Sequence, residues 1–136
     1  MTRQEIIKGL KLLNKHYKLK VKFKTGYPLI GDRTPVADIR RQTLIFPPML
    51  AFYNERILAH EFAHILVCKG HQPLWGNIHN EEFESSYREC CLVLGIFPIP
   101  TKDLNRETEA NLEKEALLQR EEYCKLAVKR NMQQVL

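Results

Sequence analysis

Residues 60–64 read His60-Glu61-Phe62-Ala63-His64, an HExxH, inside the longer run NERILAHEFAHILVC over 54–68. On an α-helix, histidines four residues apart lie ~40° apart around the axis and ~6 Å along it, so both imidazoles can reach one ion. Glu61 projects about a quarter turn away, where it can reach a metal-bound water rather than the metal itself. Ile57, Leu58, Phe62, Ala63, Ile65, Leu66 and Val67 make the helix apolar on nearly all sides, the pattern of a buried element. Two histidines and a glutamate on such a helix are three costly polar groups. One metal with its water satisfies all three.

A catalytic zinc takes three protein ligands and keeps a fourth position open. Downstream of the motif the candidates are His71, His79, Glu81, Glu82, Glu84 and Glu89. The metzincin pattern, HExxHxxGxxH, needs glycine at 67 and histidine at 70; the chain has Val67 and Gly70, which excludes it. His71, just past the expected helix end, is expected to face solvent or the rim of the site. His79 is better situated: fourteen residues separate it from His64, enough for a helix end, a loop and a return at the start of the next helix.

The stretch HEFAHILVCKGHQPLWGNIHNEEF, residues 60–83, resembles the SprT-like (Spartan-type) metallopeptidases. Their core is an HExxH, a variable loop and a third histidine in an HGxxF/W motif. His79-Asn80-Glu81-Glu82-Phe83 is similar to that motif, with Asn80 in place of its glycine. The resemblance extends over roughly residues 1–95 and is specific over 60–83. It implies an α+β, zincin-like minimal metalloprotease domain, with His60, His64 and His79 on Zn²⁺ and Glu61 as general base. It also implies a DNA-linked setting. Unlike many SprT-like proteins, this chain has no zinc ribbon.

The same HExxH helix is also similar to that of the ImmA/IrrE-type metallopeptidases, which act on transcriptional regulators. In those a carboxylate from the following helix completes the site, and here Glu84 or Glu89 would serve. Either resemblance implies peptide hydrolysis, with a protein or peptide as substrate. His71 or Tyr87 would then be the candidates to stabilise the oxyanion, while Phe83 and Trp75 read as core. A non-catalytic zinc module that binds DNA or protein is a third reading, in which a fourth side chain such as Cys68 or Cys90 closes the metal site.

Around this centre the patterning predicts an N-terminal helix over 2–16, opened by a Thr2/Glu5 capping box. A strand with a lysine outer face follows over 17–24, where Tyr17, Leu19, Val21 and Phe23 alternate with Lys18, Lys20, Lys22 and Lys24. Gly26, Pro28, Gly31 and Asp32 mark a loop. Strands over 36–39 and 43–46 form a hairpin about Arg40-Arg41-Gln42, and Pro47-Pro48 ends it. Asn54 caps the HExxH helix over 55–69 and Gly70 stops it. Asn80 caps a second helix that ends near Leu94-Gly95. A long charged helix over 104–132 carries only a patchy apolar stripe, Leu112, Leu117, Tyr123 and Leu126. The chain thus divides into a metallopeptidase domain, 1–100, and a charged C-terminal helix, 101–136.

Length and composition fit this plan. At 136 residues and 16.0 kDa, with 44% apolar and 27% charged residues, one ordinary globular core is expected. No run approaches the ~18 apolar residues of a membrane span, and the first residues lack the apolar core of a secretory signal. The expected location is cytoplasmic, or associated with a nucleoid or nucleus, with no membrane partner. The four cysteines form no CxxC pair and read as free thiols. Charge is uneven: residues 1–59 hold 12 Lys+Arg against 4 Asp+Glu. That excess makes nucleic acid or another polyanion a candidate partner, beside the alternative of a solvated lysine face.

Overall fold

The computed structural model describes residues 1–27, 34–68 and 79–135, the side chains of 134 and 135 excepted. Among the described residues it has four α-helices and a small three-stranded sheet: α1 (Arg3–Tyr17), β1 (Lys22–Thr25), β2 (Val36–Asp38), β3 (Thr43–Phe46), α2 (Glu55–Cys68), α3 (Glu81–Val93) and α4 (Thr101–Val135). A 3-10 turn, Leu50–Phe52, links β3 to α2 and had no clear signal in the sequence.

The capping box forms as the sequence indicates: Thr2 Oγ1 accepts from the Glu5 N–H, and the Thr2 N–H donates to Glu5 Oε1. Ile6, Gly9, Leu10 and Leu13 make the buried face of α1. Gly9 sits where α1 meets α2, and a Cβ there would lie 2.9 Å from Leu58 Cδ2.

The expected strand over 17–24 is shorter and later than its alternation suggests. Helical hydrogen bonding carries α1 through Tyr17, and Lys18 closes it in the left-handed conformation, φ 55°. Only Lys22–Thr25 pairs. What holds the intervening chain is Asn14, whose side-chain amide donates to Val21 O and whose Oδ1 accepts from Val21 N, both at 3.0 Å. One side chain thus does for Val21 what a neighbouring strand would do.

The hairpin is present, with β2 antiparallel to β3 and Gln42 at φ 45° in its turn. Sheet order is β1-β3-β2, with β1 parallel to β3 in the register Lys22↔Thr43 to Thr25↔Phe46. The central strand carries the most buried side chains, Leu44 and Phe46. They join Leu13, Leu58, Phe62, Phe83 and Tyr87 in one core built by the sheet and the first three helices.

Asn54 Oδ1 caps α2 through the Arg56 N–H at 2.8 Å. The expected stop at Gly70 lies outside the described residues. α3 ends at Val93, and Gly95 just beyond its cap has a φ of 73° that suits glycine, with Ile96 N–H returning to Cys91 O.

α4 begins three residues before its expected start and is joined to the rest of the chain at its first half. Leu104 is buried in the common core, Thr101 Oγ1 bonds Glu84 Oε1 at 2.7 Å, and Glu115 accepts from the Leu50 and Ala51 N–H groups. Leu112 packs on the core, whereas Leu117, Tyr123 and Leu126 are exposed.

Replacing Asn14 with alanine removes both bonds to Val21 and should lower unfolding stability by about 1–3 kcal/mol. Chemical denaturation measures it; a change within error would show that β1 docks without this clamp.

Candidate metal centre

α2 carries His60 and His64 on one side and Glu61 on another, as four-residue and one-residue spacings require. The third imidazole arrives from the next helix. Asn80, extended at φ −78°, caps α3 by accepting from the Phe83 N–H at 3.0 Å, and this sets His79 immediately before the first turn. A negative φ at position 80 needs no glycine, so asparagine fulfils both the backbone and the capping demand there.

The three ring Nε2 atoms converge. His79 Nε2 lies 3.2 Å from His60 Nε2 and 3.3 Å from His64 Nε2, and all three donor atoms fall within 4.8 Å of one another. Three imidazoles around a tetrahedral ion at ~2.0–2.1 Å would have nitrogens separated by roughly 3.3 Å. The two His79 separations match that figure, and the described residues bring three ligands close enough to hold one ion.

Phe83 backs the cluster. Its fully buried ring lies 4.9, 4.5 and 4.8 Å from the centroids of His60, His64 and His79. Tyr87 stacks beneath Phe83 at 6.4 Å with the rings nearly parallel, 3° apart. His60 Nδ1 is buried without a hydrogen-bond partner among the described residues, so packing rather than a second hydrogen bond orients this ring.

Burial pulls the His60 pKa down to about 3 and that of His64 to about 4, with neighbouring imidazoles adding to both effects. Near neutral pH these rings are uncharged and keep the lone pair a metal needs. Glu61, 8% exposed, has its carboxyl pushed up to about 8 by burial, against a hydrogen bond from the Ala37 backbone on β2. It stands outside the three-histidine ligand group. His60 and Glu61 share one wall of a cavity of about 220 Å³, whose other lining residues are Thr34, Pro35, Phe52, Ile57, Leu104, Asn105 and Thr108.

The other residues singled out from the sequence are placed elsewhere. Glu84 spends a carboxylate oxygen on Thr101, and Glu89 lies 3.9 Å from His16 on the outer surface. Neither joins the ligand group. Tyr87 is 1% exposed and donates its hydroxyl to Ile99 O at 3.0 Å, which removes it as an oxyanion stabiliser. His71 and Trp75 lie outside the described residues. Cys68, Cys90, Cys91 and Cys124 are free thiols, and none is part of the histidine group. The roles of Phe83 as ring support and of Leu104, Asn105 and Thr108 as cavity wall were missed. Only the four-residue step from His79 to Phe83, one helical turn, hinted at the first.

His79→Ala should abolish uptake of one divalent ion per chain while Glu84→Ala retains it, as read by metal analysis after dialysis. Phe83→Leu, which keeps an apolar side chain but loses the flat support, should weaken metal affinity about tenfold or more in a chelator competition. No protein-family model, curated protein or solved structure matches the chain.

Proposed function

We propose that the chain is a zinc-dependent metallopeptidase with a zincin-like arrangement of SprT-like type. The observation that carries the reading is the convergence of His60, His64 and His79 ring nitrogens within 4.8 Å of one another, with the buried Glu61 one residue along from His60 on α2. A zinc ion held by these three imidazoles would supply Lewis acidity, polarising a peptide carbonyl and lowering the pKa of a water toward ~7.

The chain's own residues account for the rest. His60 and His64 stay neutral because their burial opposes protonation, so protons do not compete for the lone pairs near neutral pH. Burial raises the proton affinity of Glu61, and a cation held by the adjacent histidines would favour the carboxylate form that can accept a proton. It accepts the proton of the attacking water and returns it to the leaving amine. Among the described residues no fourth side chain joins the histidines, and neither Cys68 nor Cys90 is in the group, in keeping with the open position that hydrolysis needs. The ImmA/IrrE-type arrangement is disfavoured by the engagement of Glu84 with Thr101 and the distance of Glu89 from the cluster.

The substrate is proposed to be a protein or peptide, with a polyanion such as nucleic acid as a further partner. The support for the latter is that Lys8, Lys11, Lys15, Lys18, Lys20, Lys22 and Lys24 are all exposed on α1, β1 and their connection.

Glu61→Gln preserves shape but cannot accept a proton as a carboxylate does. Peptide turnover should fall about 100- to 10,000-fold with one zinc per chain still bound. Unchanged turnover, or no turnover by the zinc-loaded parent on any peptide, would overturn the proposal.

A further inference from the structure

We infer that the first turns of α4 form a side-chain recognition pocket, which makes the enzyme select an uncharged, apolar residue next to the cleaved bond. This inference rests on the metallopeptidase reading and specifies its substrate class.

The cavity beside His60 and Glu61 has two facing walls. One is α2 with the 3-10 turn, through Ile57 and Phe52; the other is α4, through Leu104, Asn105 and Thr108. At about 220 Å³ it is smaller than the ~300–1,000 Å³ typical of pockets for whole cofactors or drug-sized ligands, and suits a single side chain. Pro35, Phe52, Ile57 and Leu104 make it apolar, and Thr34, Asn105 and Thr108 are its neutral polar residues. The charge-bearing group in the lining, Glu61, is itself held in a poorly solvated place. A carboxylate or ammonium entering here would lose its water with no built partner, whereas an aliphatic or aromatic side chain gains by burial.

The α4 wall is fixed rather than draped. Leu104 is 2% exposed in the common core, Thr101 is bonded to Glu84 on α3, and Glu115 holds the N–H groups of Leu50 and Ala51. These anchors bracket Asn105 and Thr108 on both sides. Thr108 is further constrained by its hydroxyl, which donates to Leu104 O at 2.8 Å. A pocket so braced can discriminate side chains by size, because its walls do not yield to accommodate a poor fit.

The test uses blocked tetrapeptides that differ only in carrying Leu, Ala or Asp at one interior position. They are titrated into the full chain, metal-free and zinc-loaded, by calorimetry, and their cleavage by the zinc-loaded chain is followed in parallel. The Leu peptide should bind at least tenfold more tightly than the Ala peptide and the Asp peptide more weakly than either. Thr108→Phe, which fills the cavity, should cut the Leu-over-Ala ratio at least tenfold. Leu104→Ala, which enlarges the cavity, should move the preference toward Phe. Equal binding of Leu and Ala peptides, or a ratio unmoved by Thr108→Phe, would overturn the pocket. Hydrolysis without discrimination likewise defeats the pocket and spares the peptidase. Discrimination in binding without hydrolysis upholds the pocket and defeats the peptidase.

Discussion

His79 Nε2 held 3.2–3.3 Å from the Nε2 atoms of both His60 and His64 is the arrangement on which the rest of the candidate site depends. Each neutral ring has a single N–H to offer, so hydrogen bonding among the three cannot satisfy every lone pair. Nor can the rings readily escape by protonation, because burial and their mutual proximity hold His60 and His64 well below the ordinary imidazole range. A cation at the common focus would compensate all three at once, and the packing of α2 against α3 brings them close enough to hold one.

The surrounding core is arranged to tolerate this polar knot. Phe83 touches all three rings, and Tyr87 supports Phe83 while its hydroxyl is spent on Ile99 O, away from the metal side. The two aromatics act as a floor that sets the ring orientations without adding ligands. Glu61, one residue from His60, is turned by helical geometry to another side of α2, where burial raises its proton affinity and the Ala37 backbone partly offsets that rise.

α4 divides into two parts with different physics. Its first half reaches the core and the cavity through Leu104 and Thr108 and is tied to the 3-10 turn through Glu115. Its second half exposes Leu117, Leu118, Tyr123, Leu126, Val128 and Met132. Charge patterning along the helix is nearly uniform and so hid this change from core element to exposed rod.

Wherever a feature depends on residues close in the chain, sequence alone determined it. The Thr2/Glu5 box, the hairpin about Arg41, the caps at Asn54 and Asn80, and the placement of His60, Glu61 and His64 all follow from spacing within a turn or two, which helical and strand geometry convert directly into position. The alternation over 17–24 misled because helix propagation through Tyr17 and the Asn14 clamp on Val21 outweighed local strand preference. Only the tertiary structure decided that His79 meets the HExxH pair while Glu84 turns to Thr101, that Phe83 underlies all three rings, and that α4 walls the cavity beside Glu61. Those outcomes depend on how whole helices pack against one another, and interhelix distance and rotation are set by the shared core rather than by any local run of residues.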